Sequence, residues 1–188
     1  MNIVLLSGST VGSKTKIAMD YLKSDLEVMN EGHNIELLDL RDLELEFSEG
    51  KNYLDTTGDV YTLTTALMQA DVIFIGFPIF QASIPGALKN VFDLLPVNAF
   101  RDKIVGIVTT AGSSKHYLIP EMHLKPILSY MKAHTMQTYV FIEERDFSNQ
   151  QIVNDDIIFR LNELAQSTMR TAKIQQRLIE EENDQYDF

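Results

Sequence analysis

The chain predicts an α/β fold, a parallel sheet with helices packed on both faces. Three observations carry that expectation. Short apolar runs bounded by turn residues recur along the sequence, segments with apolar residues three and four apart lie between them, and the two patterns alternate along the chain. Strands separated by helices are joined by crossovers, and crossovers make a parallel sheet buried on both sides.

Asn2–Leu6 is an apolar run that ends at Ser7-Gly8-Ser9, and Val72–Phe77 is another that ends at Pro78. Each has the length of a buried strand rather than a helix. Lys103–Thr109 is a third, ending near Gly112, and Asn34–Leu40 and Thr138–Ile142 complete the set. Between them, Lys14–Asn30 places Ile17, Ala18, Tyr21, Leu22, Leu26 and Met29 on one helical face and stops at Gly32. Thr62–Ala70 is a shorter helix. Pro85–Leu95 begins with Ser83 as the expected N-cap and Pro85 near the first helical position. Pro120–Ala133 carries Pro126 as an expected kink, and the last helix runs from about Asp155 to Glu182, with Ile157, Leu161, Leu164, Thr168 and Ala172 facing inward. Five strands in this arrangement fit the flavodoxin-like three-layer fold, sheet order 2-1-3-4-5, the alternative doubly wound order having six strands. In both, ligands sit outside the carboxyl ends of the strands, so the loops after the first, third and fourth strands are the ones to read.

A chain of 188 residues and 21.4 kDa is expected to form a single domain over residues 1–188, with an acidic tail from about residue 180. Cysteine is absent, which excludes disulfides, thiolate metal sites and cysteine nucleophiles. The net charge of −11 lacks the electrostatic footprint of a nucleic-acid binder, while leaving room for a local cationic pocket. No run approaches the ~18 apolar residues of a membrane span, and the N-terminus has no basic segment ahead of its short apolar stretch. The expected location is cytoplasmic.

The first loop reads Gly8-Ser9-Thr10-Val11-Gly12-Ser13-Lys14-Thr15 between a buried strand and a helix. Free backbone N–H groups, the positive end of a helix dipole, several hydroxyls and a lysine converge there, which in physical terms is a phosphate site. The spacing fits neither the dinucleotide fingerprint nor a P-loop, because three residues separate Gly8 from Gly12 and Ser13 intervenes before Lys14. A well-capped polar helix start is the plainer alternative.

The second loop sharpens the expectation. The string GFPIFQASIPGALKNVFDLLP, from Gly76, resembles the NADPH-dependent FMN reductase family in Pro78, Ser83, Pro85, Gly86, Leu88, Lys89, Asn90 and Asp93, with Phe80 where the family pattern has tyrosine. Asp93-Leu94-Leu95-Pro96, Lys103-Ile104-Val105, Gly112-Ser113, His116 and Leu124-Lys125-Pro126 are similar to the flavin reductases that serve alkanesulfonate monooxygenases. The resemblance covers roughly residues 1–142. Val11 stands where the family commonly has arginine, and Met122 where the two-component reductases often have tyrosine.

The resemblance implies an FMN-binding oxidoreductase that takes hydride from NADPH (or NADH) and passes electrons to a small acceptor: free flavin, a quinone, an azo compound or a metal ion. It implies that Ser9, Val11, Gly12, Ser13, Lys14 and Thr15 hold the FMN phosphate. Pro78, Ile79, Phe80, Gln81, Ala82 and Ser83 would line one edge of the ring, and Thr110, Ala111, Gly112, Ser113 and His116 the other. The cofactor carries the chemistry, so no catalytic acid–base side chain is expected. A flavodoxin-type electron carrier is the alternative function. Phe80 could instead be core, and Lys89, Asn90 and Asp93 are expected to be structural helix pairs. The four histidines have no metal-ligand spacing. A homodimer or tetramer is expected, with Tyr53, Tyr61, Leu63 and Leu94–Phe100 as apolar residues that one subunit leaves uncovered.

Overall fold

The computed structural model describes residues 1–29 and 32–186, and the side chains of residues 1–29 and 32–184. Asn30, expected as the end of the first helix, and Asp187 of the acidic end lie outside the described residues. The elements are β1 (Asn2–Ser7), α1 (Lys14–Val28), β2 (Asn34–Asp39), α2 (Gly58–Gln69), β3 (Val72–Pro78), α3 (Gly86–Asp93), β4 (Ile104–Ala111), α4 (Lys125–Tyr130), β5 (His134–Thr135), β6 (Val140–Glu143), β7 (Phe147–Ser148), β8 (Gln151–Ile152) and α5 (Asp155–Tyr186).

The strands pair in parallel in the order β2-β1-β3-β4-β5, with β6 also paired to β4, so the predicted topology is the observed one. Alternation along each strand divides the apolar side chains between two layers. Val4, Leu6, Ile73, Ile75 and Phe77 pack with residues of α2, α3 and α4, whereas Ile3, Leu5, Val72 and Phe74 pack with α1 and α5. Gly106 allows the second layer to close, since a Cβ there would lie 2.6 Å from the Phe74 ring.

Several boundaries differ from expectation for identifiable reasons. The fifth strand position is filled by two short strands. Val105 pairs with Thr135 and Val108 with Val140, so two extra residues bulge out between them. The expected strand Thr138–Ile142 is thus β6 moved toward its end, with β5 unforeseen. The segment 120–130 opens as a π-helical turn over Pro120–Leu124 before α4, and Pro126, which has no N–H to give, follows directly. α2 begins a turn earlier than expected, after Thr57. Ser83 does not cap α3; Pro85 takes the N-cap, and the Ser83 hydroxyl hydrogen-bonds His123 Nδ1 at 2.9 Å. A hairpin, β7–β8, turns through Asn149 and Gln150 at φ 48° and 58°, a conformation asparagine tolerates. Of the apolar residues expected to be left uncovered, Leu63, Leu95, Ala99 and Phe100 belong to the core, while Tyr61 and Val97 are exposed. Among the described residues no helix is long and apolar enough to cross a membrane.

Candidate functional site

The carboxyl ends of β1, β3 and β4 open into a cleft of about 340 Å³. It is lined by Val11, Gly12, Ser13, Lys14 and Thr15 from the first loop, Pro78, Ile79 and Phe80 from the second, and Thr110, Ala111 and Gly112 from the third. These are predicted site residues, brought together by strand order. Ser9, Gln81, Ala82, Ser83, Ser113 and His116 do not line it.

The first loop is a shaped turn. Ser9 is buried; its hydroxyl donates to the Val11 carbonyl at 2.6 Å and accepts from the Val11 N–H at 3.3 Å, closing the turn on itself. Gly12 has φ +77°, which only glycine adopts without strain. Ser13 stands at the N-cap of α1, yet its hydroxyl makes no capping bond, and the first turn of the helix holds no acidic residue. The positive end of the helix dipole therefore carries uncommitted donors and no internal counter-charge. Thr15, buried, is 3.0 Å from the Thr110 hydroxyl and ties the first loop to the third. The Gly8 N–H donates to the Gly76 carbonyl at 2.7 Å and ties it to the second.

The second loop is a tight turn. Phe80 and Ser83 exchange both backbone hydrogen bonds, 3.0 and 2.9 Å, around Gln81 and Ala82 at φ 46° and 55°. Two left-handed residues in succession make this a type I′ turn. It raises Phe80 out of the core, 40% exposed, with its ring against the cleft. Lys89, Asn90 and Asp93 make the contacts within the chain expected of them. Lys89 pairs with Asp93 at 2.6 Å. The Asn90 side chain accepts from the Ser48 N–H and donates to the Glu46 carbonyl, both at 2.9 Å. Leu88 lies where a Cβ on Gly8 would fall, at 3.0 Å.

The third loop is anchored from below. The Tyr139 hydroxyl donates to the Tyr117 carbonyl at 2.6 Å, and the Tyr117 ring packs on Tyr139 and Phe141 with centroids 5.3 and 5.4 Å apart. Burial pushes the Tyr139 phenol well above its ordinary range, so it stays a donor.

Sequence reasoning missed three contributors. Glu144 and Phe147, beyond β6, line the cleft, and Glu144 pairs with Lys14 across it. Arg41, just beyond β2, forks onto Asp39 and donates to the Gly12 carbonyl. All three follow carboxyl ends of strands, at loops that the sequence does not mark with glycine or hydroxyl clusters. Among the described residues no group of three or more His, Asp or Glu side chains could hold a metal ion.

The model of a known family, described as NADPH-dependent FMN reductase, matches residues 1–147. The chain belongs to that family. An NAD(P)H-dependent FAD/FMN reductase of Geobacillus thermodenitrificans is 35% identical over 166 residues, covering 88% of this chain and 90% of the relative. An FMN-dependent NADPH-azoreductase of Staphylococcus saprophyticus is 27% identical over 168 residues, 86% of this chain and 85% of its own. Among solved structures, the apo form of an NADH:FMN oxidoreductase (EMOB) superposes with a TM-score of 0.77 at 25% identity, covering 90% of this chain and 89% of that one. For a member of this family, the cleft lies where doubly wound folds bind their ligands.

Proposed function

We propose that this chain is an NAD(P)H-dependent FMN reductase whose cleft at the ends of β1, β3 and β4 holds FMN. The observation that carries the proposal is the uncapped, acid-free N-terminus of α1 opening into a cleft with Phe80 on one side, in a member of the FMN reductase family. The donor set fits the cofactor. A dianionic phosphate needs convergent N–H groups and hydroxyls, which Ser13, Lys14 and the start of α1 supply. A flat ring needs an aromatic or backbone wall, which Ile79 and Phe80 supply at one edge and Ala111–Gly112 at the other.

FMN, when bound, supplies the hydride and electron transfer. The chain's own residues bind and orient. Ser13 offers its hydroxyl, and Lys14, now paired with Glu144, offers its ammonium once an anion competes for it. The Thr15–Thr110 contact fixes the spacing between the first and third loops. The type I′ turn leaves Gln81 and Ala82 exposed next to Phe80, which lines the cleft. In this reading no side chain moves a proton.

The acceptor is a small molecule: flavin, a quinone or an azo compound, the last supported by the azoreductase relative. A homodimer or tetramer belongs to the proposal, supported by exposed Val97 and Tyr130 along a cleft beside α3 and α4. A cytoplasmic setting, where reduced nicotinamide is available, goes with it.

The test is direct. Purified protein loaded with FMN is mixed anaerobically with NADPH or NADH and no partner protein. Bleaching of the flavin absorbance is expected. Flavin that stays oxidised until a partner protein is added would instead describe an electron carrier.

A further inference from the structure

Asp39 and Arg41 form the most fully bonded ionic pair in the described molecule, and neither side chain lines the cleft itself. The Asp39 side chain is 1% exposed. Its carboxylate receives Arg41 Nε at 3.1 and 3.0 Å, Arg41 Nη2 at 2.6 Å and the Arg41 backbone N–H at 3.1 Å. The remaining branch of the guanidinium reaches out of β2's loop and across to the first loop, where Nη1 donates to the Gly12 carbonyl at 3.0 Å. The hydrogen bond to Asp39, ahead of any other influence, raises the Arg41 pKa and keeps it charged.

From this geometry we propose that Arg41, locked by Asp39, is the positioning residue for the anion-binding loop. The proposal rests on the reading of that loop as the FMN phosphate site. A trans peptide points its C=O and N–H to opposite sides. Fixing the Gly12 carbonyl on Arg41 therefore fixes the Ser13 N–H on the side away from Arg41, at the start of α1 where the other free donors lie. Gly12, at φ +77°, has no Cβ, so no side chain of its own restricts the orientation of the peptide that follows it. A flipped peptide would replace a donor with a carbonyl oxygen and turn an attractive site for phosphate into a repulsive one. The guanidinium fork removes that alternative. It does so because both ends are fixed: the buried carboxylate holds the fork and the fork holds the carbonyl. A lysine at position 41 would keep the charge but could not satisfy Asp39 bidentately and reach Gly12 at once. Asp39 thus serves the loop at one remove, and Arg41 neutralises a buried negative charge that would otherwise stand behind an anion site.

The experiment compares FMN with riboflavin, which lacks the phosphate, by fluorescence titration. R41A alone would strand the buried Asp39 and could fail to fold, so the decisive variant is the double substitution D39N/R41M, which removes both charges and keeps the volume. It is expected to melt cooperatively and to bind FMN at least tenfold more weakly than the wild type, with riboflavin affinity unchanged within twofold. R41K in the wild-type background is expected to show the same selective loss of FMN. An unchanged FMN affinity in the double variant, or an equal loss for FMN and riboflavin, would overturn the positioning role. Wild-type protein that binds riboflavin as tightly as FMN would instead sink the phosphate-loop reading, and this proposal with it.

Discussion

Replacing Gln81 by glycine should make the protein more stable, although it removes a side chain and adds freedom to the unfolded chain. Gln81 and its neighbour Ala82 are both held in the left-handed region, at φ 46° and 55°, by the two hydrogen bonds between Phe80 and Ser83. For an L-residue that conformation costs about 1–2 kcal/mol. Glycine adopts it freely, at an entropic cost of about 0.5–1 kcal/mol relative to alanine. The side chain of Gln81 is exposed and makes no hydrogen bond that would be lost among the described residues. The net expectation is a gain of about 0.5–1 kcal/mol for Gln81→Gly, and about twice that for Gln81→Gly with Ala82→Gly. The assay is urea unfolding followed by circular dichroism, with the midpoint rising and the slope unchanged. In a domain of this size each kcal/mol also moves Tm by ~2–4 °C. A fall in stability for the single variant would refute the reasoning, because it would mean that the turn is not the strained type I′ turn that its φ angles and hydrogen bonds define. Strain kept at the rim of a ligand cleft is a common companion of preorganisation, so the stabilised variant should also bind FMN no more tightly than the wild type.

Gly106→Ala should cost about 1–3 kcal/mol in the same assay, since the added methyl would meet the fully buried Phe74 ring at 2.6 and 2.8 Å. Burial raises the Asp25 pKa above its ordinary value, and one carboxylate oxygen has no partner. The folded state then binds the proton more tightly than the unfolded state, so wild-type stability falls as pH rises through that interval. Asp25→Asn should accordingly be the more stable protein at neutral pH, with its advantage shrinking as pH drops through the folded Asp25 pKa; a pH-independent difference in thermal melts would contradict this. For turnover, the second and third loops line the cleft at the strand ends, and on the proposed reading nicotinamide and acceptor use one approach in turn. Steady-state rates with tightly held flavin should give parallel double-reciprocal lines, and intersecting lines would mean that both substrates fit at once.

Strand order and the position of the cleft were legible because both rest on patterns that local chemistry enforces. Val72–Phe77 has no polar residue and ends at Pro78, and such a run has few homes outside a buried strand. The first-loop residues follow from the strand-to-helix transition at Gly8–Lys14. What escaped is what depends on partners distant in sequence. Whether Ser83 caps its own helix or reaches His123, forty residues on, is decided by the π-helical turn that carries His123, and no local signal announces it. Arg41 reads as one charge among many until β2 is placed beside β1, and only then does its reach to Gly12 exist. Glu144 depends on the bulge that shifts β6 relative to β4 by two residues, a feature of the pairing and not of the segment itself.

That interrupted fifth position has a further consequence. The sheet has two borders, β2 and the pair β5–β6. An uninterrupted border strand offers a row of open backbone groups to any other chain, and is a standing invitation to add strands without limit. Here one border is cut into two-residue and four-residue pieces with a bulge between them, so an incoming strand would find no continuous register to follow. The other border is marked by Asn34 and Glu36, exposed and polar on alternate positions. Growth of the sheet from copy to copy is therefore discouraged at both ends, which leaves the proposed homo-oligomer to form through helical faces, where contact area is finite.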